Sequence, residues 1–326
     1  MIVSAVLDPE AFGEKGIVDN EAKKEAIAFL KGIVENGVII DKTRANSLLD
    51  LVIIEADKLS TKFKTRILLL VTEIKKNWNR LVAEFGDLDG GLEGQPVEEH
   101  VVFLANELQA DTIITRAGKE GSFTAFGISA NRITPINDFT ESTFEALRTS
   151  LKPEDTLNNL APARINELIG RSVKYARVLE IFDYHMGASN SGAVSNFLPG
   201  IQHFVDIWES SCVMSLKNPA ERSLVLYAAS ERPMTGGTRL CQDVDKALED
   251  CICTRLNNVG ATIQRQVKKD PGKKMHARGF VAKKRGYFLD PGFDALKKFP
   301  PDRDVVLAMN VALEKYFDAC RQLPGL

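Results

Sequence analysis

Apolar positions along the chain follow two rhythms that alternate: short unbroken runs, and longer stretches with three- and four-residue spacing. The first marks buried strands and the second marks helices. An opening strand is predicted over 2–7 and a helix over 20–36, where Ala26, Ile27, Leu30, Ile33 and Val34 share one face. Asn20 is its expected N-cap, and Asn36 with Gly37 its expected stop. From 43 to about 85 the pattern stays helical, as more than one helix, before a break rich in glycine and acid at 87–96. A helix over 97–108 then leads into a strand over 110–115, and a further helix over 138–150 follows the apolar run at 133–136. Such alternation predicts a parallel sheet flanked by helices.

Proline and charge interrupt the pattern at 151–155, which predicts one domain over 1–150 and a second over 151–326. In the second, helical patterns cover 162–176, 197–208 and 240–257, and strands are expected over 177–183, 223–228, 259–267 and 275–282. The fold class is therefore α/β in both halves. A chain of 326 residues is long enough for two cores. Its apolar runs are too short to span a bilayer, and no basic segment precedes the first of them, so a cytoplasmic protein is expected. The five cysteines are odd in number and show no paired CxxC spacing, which predicts reduced thiols.

The formal charge is −2, so contact with nucleic acid must come from a local patch. The segment from Lys268 to Arg285 is such a patch, with eight basic residues and one acid, Asp270. In the first half the candidates are acids. Asp8 stands directly after the first strand, at the edge where open parallel sheets bind ligands. Asp50, Glu55 and Asp57 follow on a helical segment, and Glu98 and Glu99 open the helix that leads to the strand over 110–115. Carboxylates gathered at one edge are costly unless a cation joins them. Mg²⁺ or Mn²⁺ would suit them and would activate water for attack on a phosphodiester. Each acid also has a local role, Asp8 as a turn initiator and Glu98 and Glu99 as partners of a helix dipole.

Three stretches in this order, VLDPEAF at 6–12, EEHVVFLANELQADTIIT at 98–115 and RITPINDFTESTFEAL at 132–147, resemble the PIN (PilT N-terminus) family of metal-dependent nucleases. The resemblance implies Asp8 as the first metal-binding catalytic acid, Glu55 or a neighbour as the second and Glu98 or Glu99 as the third, and of these Asp8, Glu55 and Glu99 are the expected set. It departs from the family at Arg116, Ala117 and Gly118, where an Asp is common.

In the second half, His276 and Arg278 lie two apart on the strand expected over 275–282 and so share a face. One can attack or protonate while the other neutralises phosphate. The stretch MHARGFVAKKRGYFLDPGFDALKKF at 275–299, with VLEIFDYHMG at 178–187, is similar to the phospholipase D-like domain attached to microtubule-interacting-and-trafficking modules. That likeness implies a catalytic or phosphate-contacting His276, with Asp183 as an orienting acid. Arg278, Lys274, Lys283, Lys284 and Arg285 would bind phosphate. The pattern has one such motif where catalysis uses two, and Lys283 stands where an Asp is required, which points to binding or to a homodimer.

Together these readings predict a PIN-like domain that cuts RNA or DNA, followed by a phospholipase D-like domain that recognises phosphate. Such pairings resemble effectors of prokaryotic phage and mobile-element defence. The alternative is a non-catalytic module in which the basic segment docks nucleic acid, an acidic partner or a phospholipid headgroup.

Overall fold

The structure, a computed structural model, describes residues 2–41, 47–77, 81–82, 95–151, 154–213, 216–230, 232–234, 237–270, 275, 278–283, 285–309 and 311–325. The chain divides into two compact units, residues 2–151 and 152–326, and both are α/β as expected. No described helix is long and apolar enough to cross a membrane.

In the first unit the chain runs β1 (Val3–Leu7), α1 (Asn20–Asn36), β2 (Gly37–Ile40), α2 (Leu48–Asp57), α3 (Thr61–Lys76), β3 (Leu81–Val82), α4 (Val97–Glu107), β4 (Thr112–Thr115), α5 (Glu120–Ala125), β5 (Ile133–Pro135) and α6 (Thr143–Ser150). The strands form one sheet in the order β3-β2-β1-β4-β5, every pair parallel. Every residue of β1, β2 and β4 is buried, as in a sheet covered on both faces. Helix α1 buries Ala22, Ala26, Phe29, Leu30 and Ile33, and Phe29 packs against Phe12, Phe139 and Phe144.

Local corrections have local causes. The N-cap of α1 is Asp19, not Asn20, because the Asp19 carboxylate accepts the Ala22 amide at 2.8 Å. Gly37 ends the helix in extended backbone and enters β2 with no loop between, so the apolar run that follows is a strand. Two residues of the stretch expected to be helical, Leu81 and Val82, form edge strand β3. The glycine- and acid-rich break falls mostly outside the described residues.

The second unit contains β6 (Glu154–Thr156), α7 (Pro162–Val173), β7 (Val178–Phe182), the single turn α8 (Asn190–Gly192), α9 (Leu198–Ser211), β8 (Ser223–Ser230), β9 (Arg232–Met234), β10 (Gly237–Arg239), α10 (Cys241–Cys251), β11 (Thr262–Lys269), β12 (Gly279–Ala282), β13 (Arg285–Asp290), β14 (Val306–Met309) and α11 (Val311–Arg321). Its seven-stranded sheet has the order β11-β8-β7-β12-β13-β14-β6. The three strands β7, β8 and β11 are parallel, and from β12 onward the neighbours are antiparallel. All five cysteines are free.

Phe204 of α9 meets Phe280 at 4.7 Å and Phe293 at 5.2 Å, edge to face, so this helix closes over the short turn Phe293–Lys297. Gly200 makes that approach possible: a Cβ there would lie 1.9 Å from the Phe293 carbonyl oxygen. Gly200→Ala is expected to lower the stability of this unit by about 2–3 kcal/mol, the upper part of the roughly 1–3 kcal/mol range for overpacking a filled core. A urea midpoint unchanged from wild type would show that α9 gives way freely.

Candidate functional site: a carboxylate cluster around Lys119, and a buried Asp183

Strand β1 ends at Leu7, and the Asp8 amide still donates to the Ile114 carbonyl at 2.8 Å. This holds Asp8 at the carboxyl edge of the sheet, with its side chain fully buried. Pro9 then opens a 3-10 turn, and one Asp8 oxygen, Oδ1, accepts the Glu10 amide at 3.4 Å. The other, Oδ2, accepts the Thr115 hydroxyl at 2.7 Å, from the last residue of the neighbouring strand β4. The turn-initiating role expected of Asp8 is therefore real, and it coexists with a position at the ligand-binding edge.

Four residues past β4, Lys119 carries its ammonium back to this edge. Its Nζ lies 3.1 Å from Asp8 Oδ1, 3.2 Å from Glu10 Oε2 and 2.8 Å from Glu98 Oε1. Lys119 is itself buried. Arg116 adds a second cation at 3.0 Å from Glu10 Oε2, and Lys15 a third at 2.8 Å from Glu10 Oε1. The charges follow from these contacts. Burial pushes the Asp8 carboxyl above its usual range, against the opposing pull of Thr115 and Lys119. Glu10 is held down at about 2, first by Lys15 and then by Arg116 and Lys119, with burial opposing. Glu98 is also held low, by its hydrogen bond to Lys119. Burial works against the Lys119 ammonium, but Glu98 and Asp8 outweigh it and raise its pKa.

The expected acids separate at this point. Asp8 belongs to the cluster, but its partners are Glu10 and Glu98 rather than Glu55 and Glu99. Adjacent helical residues are turned by about 100°, so α4 directs Glu98 to Lys119 and points Glu99 elsewhere. Glu55 bonds Lys58 at 2.6 Å and lies over Gly13, where an added Cβ would be 2.5 Å from its Oε2. Among the described residues, no hydrogen bond or ion pair joins Glu55 or Glu99 to Asp8. Thr115, Arg116 and Lys119 were not among the expected site residues. The one available signal was their position just past a buried parallel strand.

Carboxylate oxygens from two segments, the turn after β1 and the first turn of α4, suit Mg²⁺ or Mn²⁺ in kind. The spacing of 2.8–3.2 Å is that of ammonium hydrogen bonds, whereas Mg²⁺ needs about 2.0–2.1 Å. Among the described residues no group of three or more His, Cys, Asp or Glu side chains is spaced to hold a metal ion. The Lys119 ammonium occupies the space between these carboxylates, so the described arrangement is an ion-pair cluster and not a formed metal site.

In the second unit Asp183 follows β7 and is fully buried. Its Oδ1 accepts the His185 amide at 2.9 Å and its Oδ2 the Phe293 amide at 3.4 Å. Gly292, at φ +121°, lies against both Asp183 and Arg278: a Cβ there would be 2.6 Å from Asp183 Oδ2 and 2.7 Å from Arg278 Cδ. Burial raises the Asp183 carboxyl to about 7, against the His185 amide and the Arg278 charge. The structure thus brings Asp183 and Arg278 together, while His276, Lys274 and Lys284 lie outside the described residues.

Of the strand expected over 275–282, the described part is Gly279–Ala282, with Arg278 just before it; the shared face expected of positions 276 and 278 falls partly outside the described residues. Nor is the basic segment a continuous solvent-facing surface. Arg285 begins an interior strand, is buried and donates to Met309 Sδ at 3.9 Å. Lys283 is also buried, at φ +51°, in the two-residue connection between Ala282 and its strand partner Arg285. Lys268 is buried with its ammonium 6.0 Å from the centre of the Tyr227 ring.

No protein-family model matches the chain, and no curated protein sequence matches it. The reading of its function therefore rests on these two constellations.

Proposed function

We propose that the first unit is a metal-dependent phosphodiesterase acting on nucleic acid, in keeping with its resemblance to PIN nucleases. The observation that carries this reading is the convergence of Asp8, Glu10 and Glu98 on one cation position at the carboxyl edge of a parallel sheet. With the Lys119 ammonium moved aside, Asp8, Glu10 and Glu98 would be free to draw together around Mg²⁺ or Mn²⁺, which would supply an activated water and neutralise charge on the phosphate. Thr115 fixes the rotamer of Asp8 by donating to Oδ2. Arg116 and Lys119 are the cations of this edge available to phosphate once carboxylates are engaged elsewhere. In the second unit, Arg278 would be the phosphate-contacting cation, with the buried Asp183 as its neighbour across Gly292.

Cleavage of labelled RNA and of single- and double-stranded DNA, in Mn²⁺ and in EDTA, tests the proposal. EDTA and Asp8→Asn should each abolish cleavage. Glu98→Gln should reduce it about 100-fold or more, since even partners one layer removed from a metal cost 10–100-fold, and Glu99→Gln should leave it near wild type. Equal losses in Glu98→Gln and Glu99→Gln would remove the geometric basis of the assignment.

A second reading is favoured by Lys119 itself. A tethered ammonium that permanently satisfies the three carboxylates leaves a nuclease-like fold that binds without cutting. Absence of cleavage in Mn²⁺ with nucleic-acid binding retained would select it.

A further inference from the structure

Away from the acid cluster, helices α1 and α3 pack side by side and leave between them a groove of about 570 Å³. Five of its ten lining residues are cationic, Lys23, Lys24 and Lys31 from α1 and Lys62 and Arg66 from α3, and none is acidic. The chain as a whole has 42 basic and 44 acidic residues, so this local excess is a departure from its average. Lys24 is engaged by Glu21 at 2.8 Å and Lys23 by the Asn20 side chain at 3.2 Å. Lys31, Lys62 and Arg66 are exposed, and among the described residues no carboxylate lies within ion-pair distance of them. Phe63 is buried at the groove, so the site is a cationic channel over an apolar base.

Topology connects the groove to the candidate site. A crossover helix in a parallel sheet starts at the edge where its strand ends. Helix α1 therefore begins at the edge that carries Asp8, with Lys23 and Lys24 in its first two turns. Helix α3 runs back toward the start of β3, so Lys62 and Arg66, in its first two turns, also lie toward that edge. The positive ends of both helix dipoles add to the side-chain charge.

We propose that this groove binds the phosphate backbone of single-stranded nucleic acid and leads it toward the Asp8 edge. The inference rests on the reading that the first unit takes nucleic acid as its ligand. A concave channel walled by two helices suits a single strand, whereas a flat bilayer reaches only its rims. Lys31 lies seven residues beyond Lys24 on α1, about 10 Å along the helix axis, so the channel spans more than one phosphate.

The test is binding of the full chain to fluorescein-labelled 12-nucleotide RNA and DNA, followed by anisotropy in EDTA across a salt series. The variants are Lys31→Glu/Lys62→Glu/Arg66→Glu, the same three positions changed to Gln, and Glu99→Gln. The charge-reversed variant is expected to bind at least tenfold more weakly at low salt. Both triple variants should lose about 2 from the log–log salt slope, three contacts at about 0.7 each. Glu99→Gln, outside both the acid cluster and the groove, should bind as wild type does. All substituted groove residues are exposed, and an unchanged circular dichroism spectrum confirms folding. If both triple variants bind oligonucleotide as wild type does, the groove assignment is wrong and the nucleic-acid reading survives. If wild type binds neither RNA nor DNA, or binds only phosphatidylserine vesicles, both fall. Groove-dependent binding without Mn²⁺-dependent cleavage keeps the groove and overturns the nuclease reading.

Discussion

Lys119→Met is expected to melt at a lower temperature than wild type in EDTA and to regain most of the loss in Mn²⁺. Methionine matches the four-atom apolar stem of lysine and removes the ammonium with its charge and its hydrogen-bond donors. Glu10 retains Lys15 and Arg116, and the half-exposed Glu98 can turn to solvent. The fully buried Asp8 carboxylate is left with the Thr115 hydroxyl and the Glu10 amide alone. Breaking a buried ion pair by removing one partner costs about 3–5 kcal/mol. For a unit of 150 residues, each kcal/mol shifts the melting temperature by about 2–4 °C, so a fall of about 6–20 °C is expected. With the tethered cation gone, Mn²⁺ at 100 times its dissociation constant would return about 2.7 kcal/mol. Wild type, in which metal must first displace Lys119, should gain much less at the same concentration. Differential scanning fluorimetry of both proteins in EDTA and in Mn²⁺ measures this. An equal Mn²⁺ shift in the two would show that Lys119 does not compete for the cation position.

The second large effect is a dependence of stability on pH set by Asp183. Its carboxyl titrates at about 7 in the folded protein, against about 3.9 in an unfolded chain. The folded state therefore holds a proton that the unfolded state has released between about pH 4 and pH 7. Stability falls with rising pH across that window and levels off above it. Three pKa units correspond to about 4 kcal/mol, undiminished by solvent because the side chain is fully buried. Asp183→Asn should abolish this slope, since Asn still accepts the His185 amide but carries no titrating proton. Urea midpoints of wild type and Asp183→Asn at pH 4.5, 6 and 8 should therefore differ in their trend, with the variant at least as stable as wild type at pH 8. Parallel pH curves would assign the slope to other groups. Arg278, beside Gly292, is the neighbour whose charge most directly moderates this acid, and bound phosphate would compete with Asp183 for it.

Much of the fold was legible in the pattern of apolar positions. The bounds of α1 come directly from residues at helical spacing, and β1, β4 and β8 are short, almost wholly buried runs whose character does not depend on distant partners. Where the reading failed, competing local signals were balanced. Gly37 both stops a helix and starts a strand, and Leu81 and Val82 are as compatible with a helix as with a two-residue edge strand. The strand beginning at Gly279 was extended backward because alternation alone does not reveal where the sheet stops pairing.

The sequence by itself determined the α/β class and the placement of Asp8 at the end of the first strand, because periodicity and strand ends are written in near neighbours. It also placed Glu98 and Glu99 at the start of one helix. Only the tertiary structure decided that Glu98 rather than Glu99 joins Asp8, since that depends on how α4 is rotated against the sheet. Only the tertiary structure placed Lys119 among three carboxylates, one of them on a residue 111 positions earlier. It likewise buried Lys283 and Arg285, which looked like surface charge, by setting their hairpin inside the sheet. The reason is the same in each case: side-chain type and spacing encode local geometry, whereas the pairing of buried charges depends on which distant segments the fold brings within 3 Å.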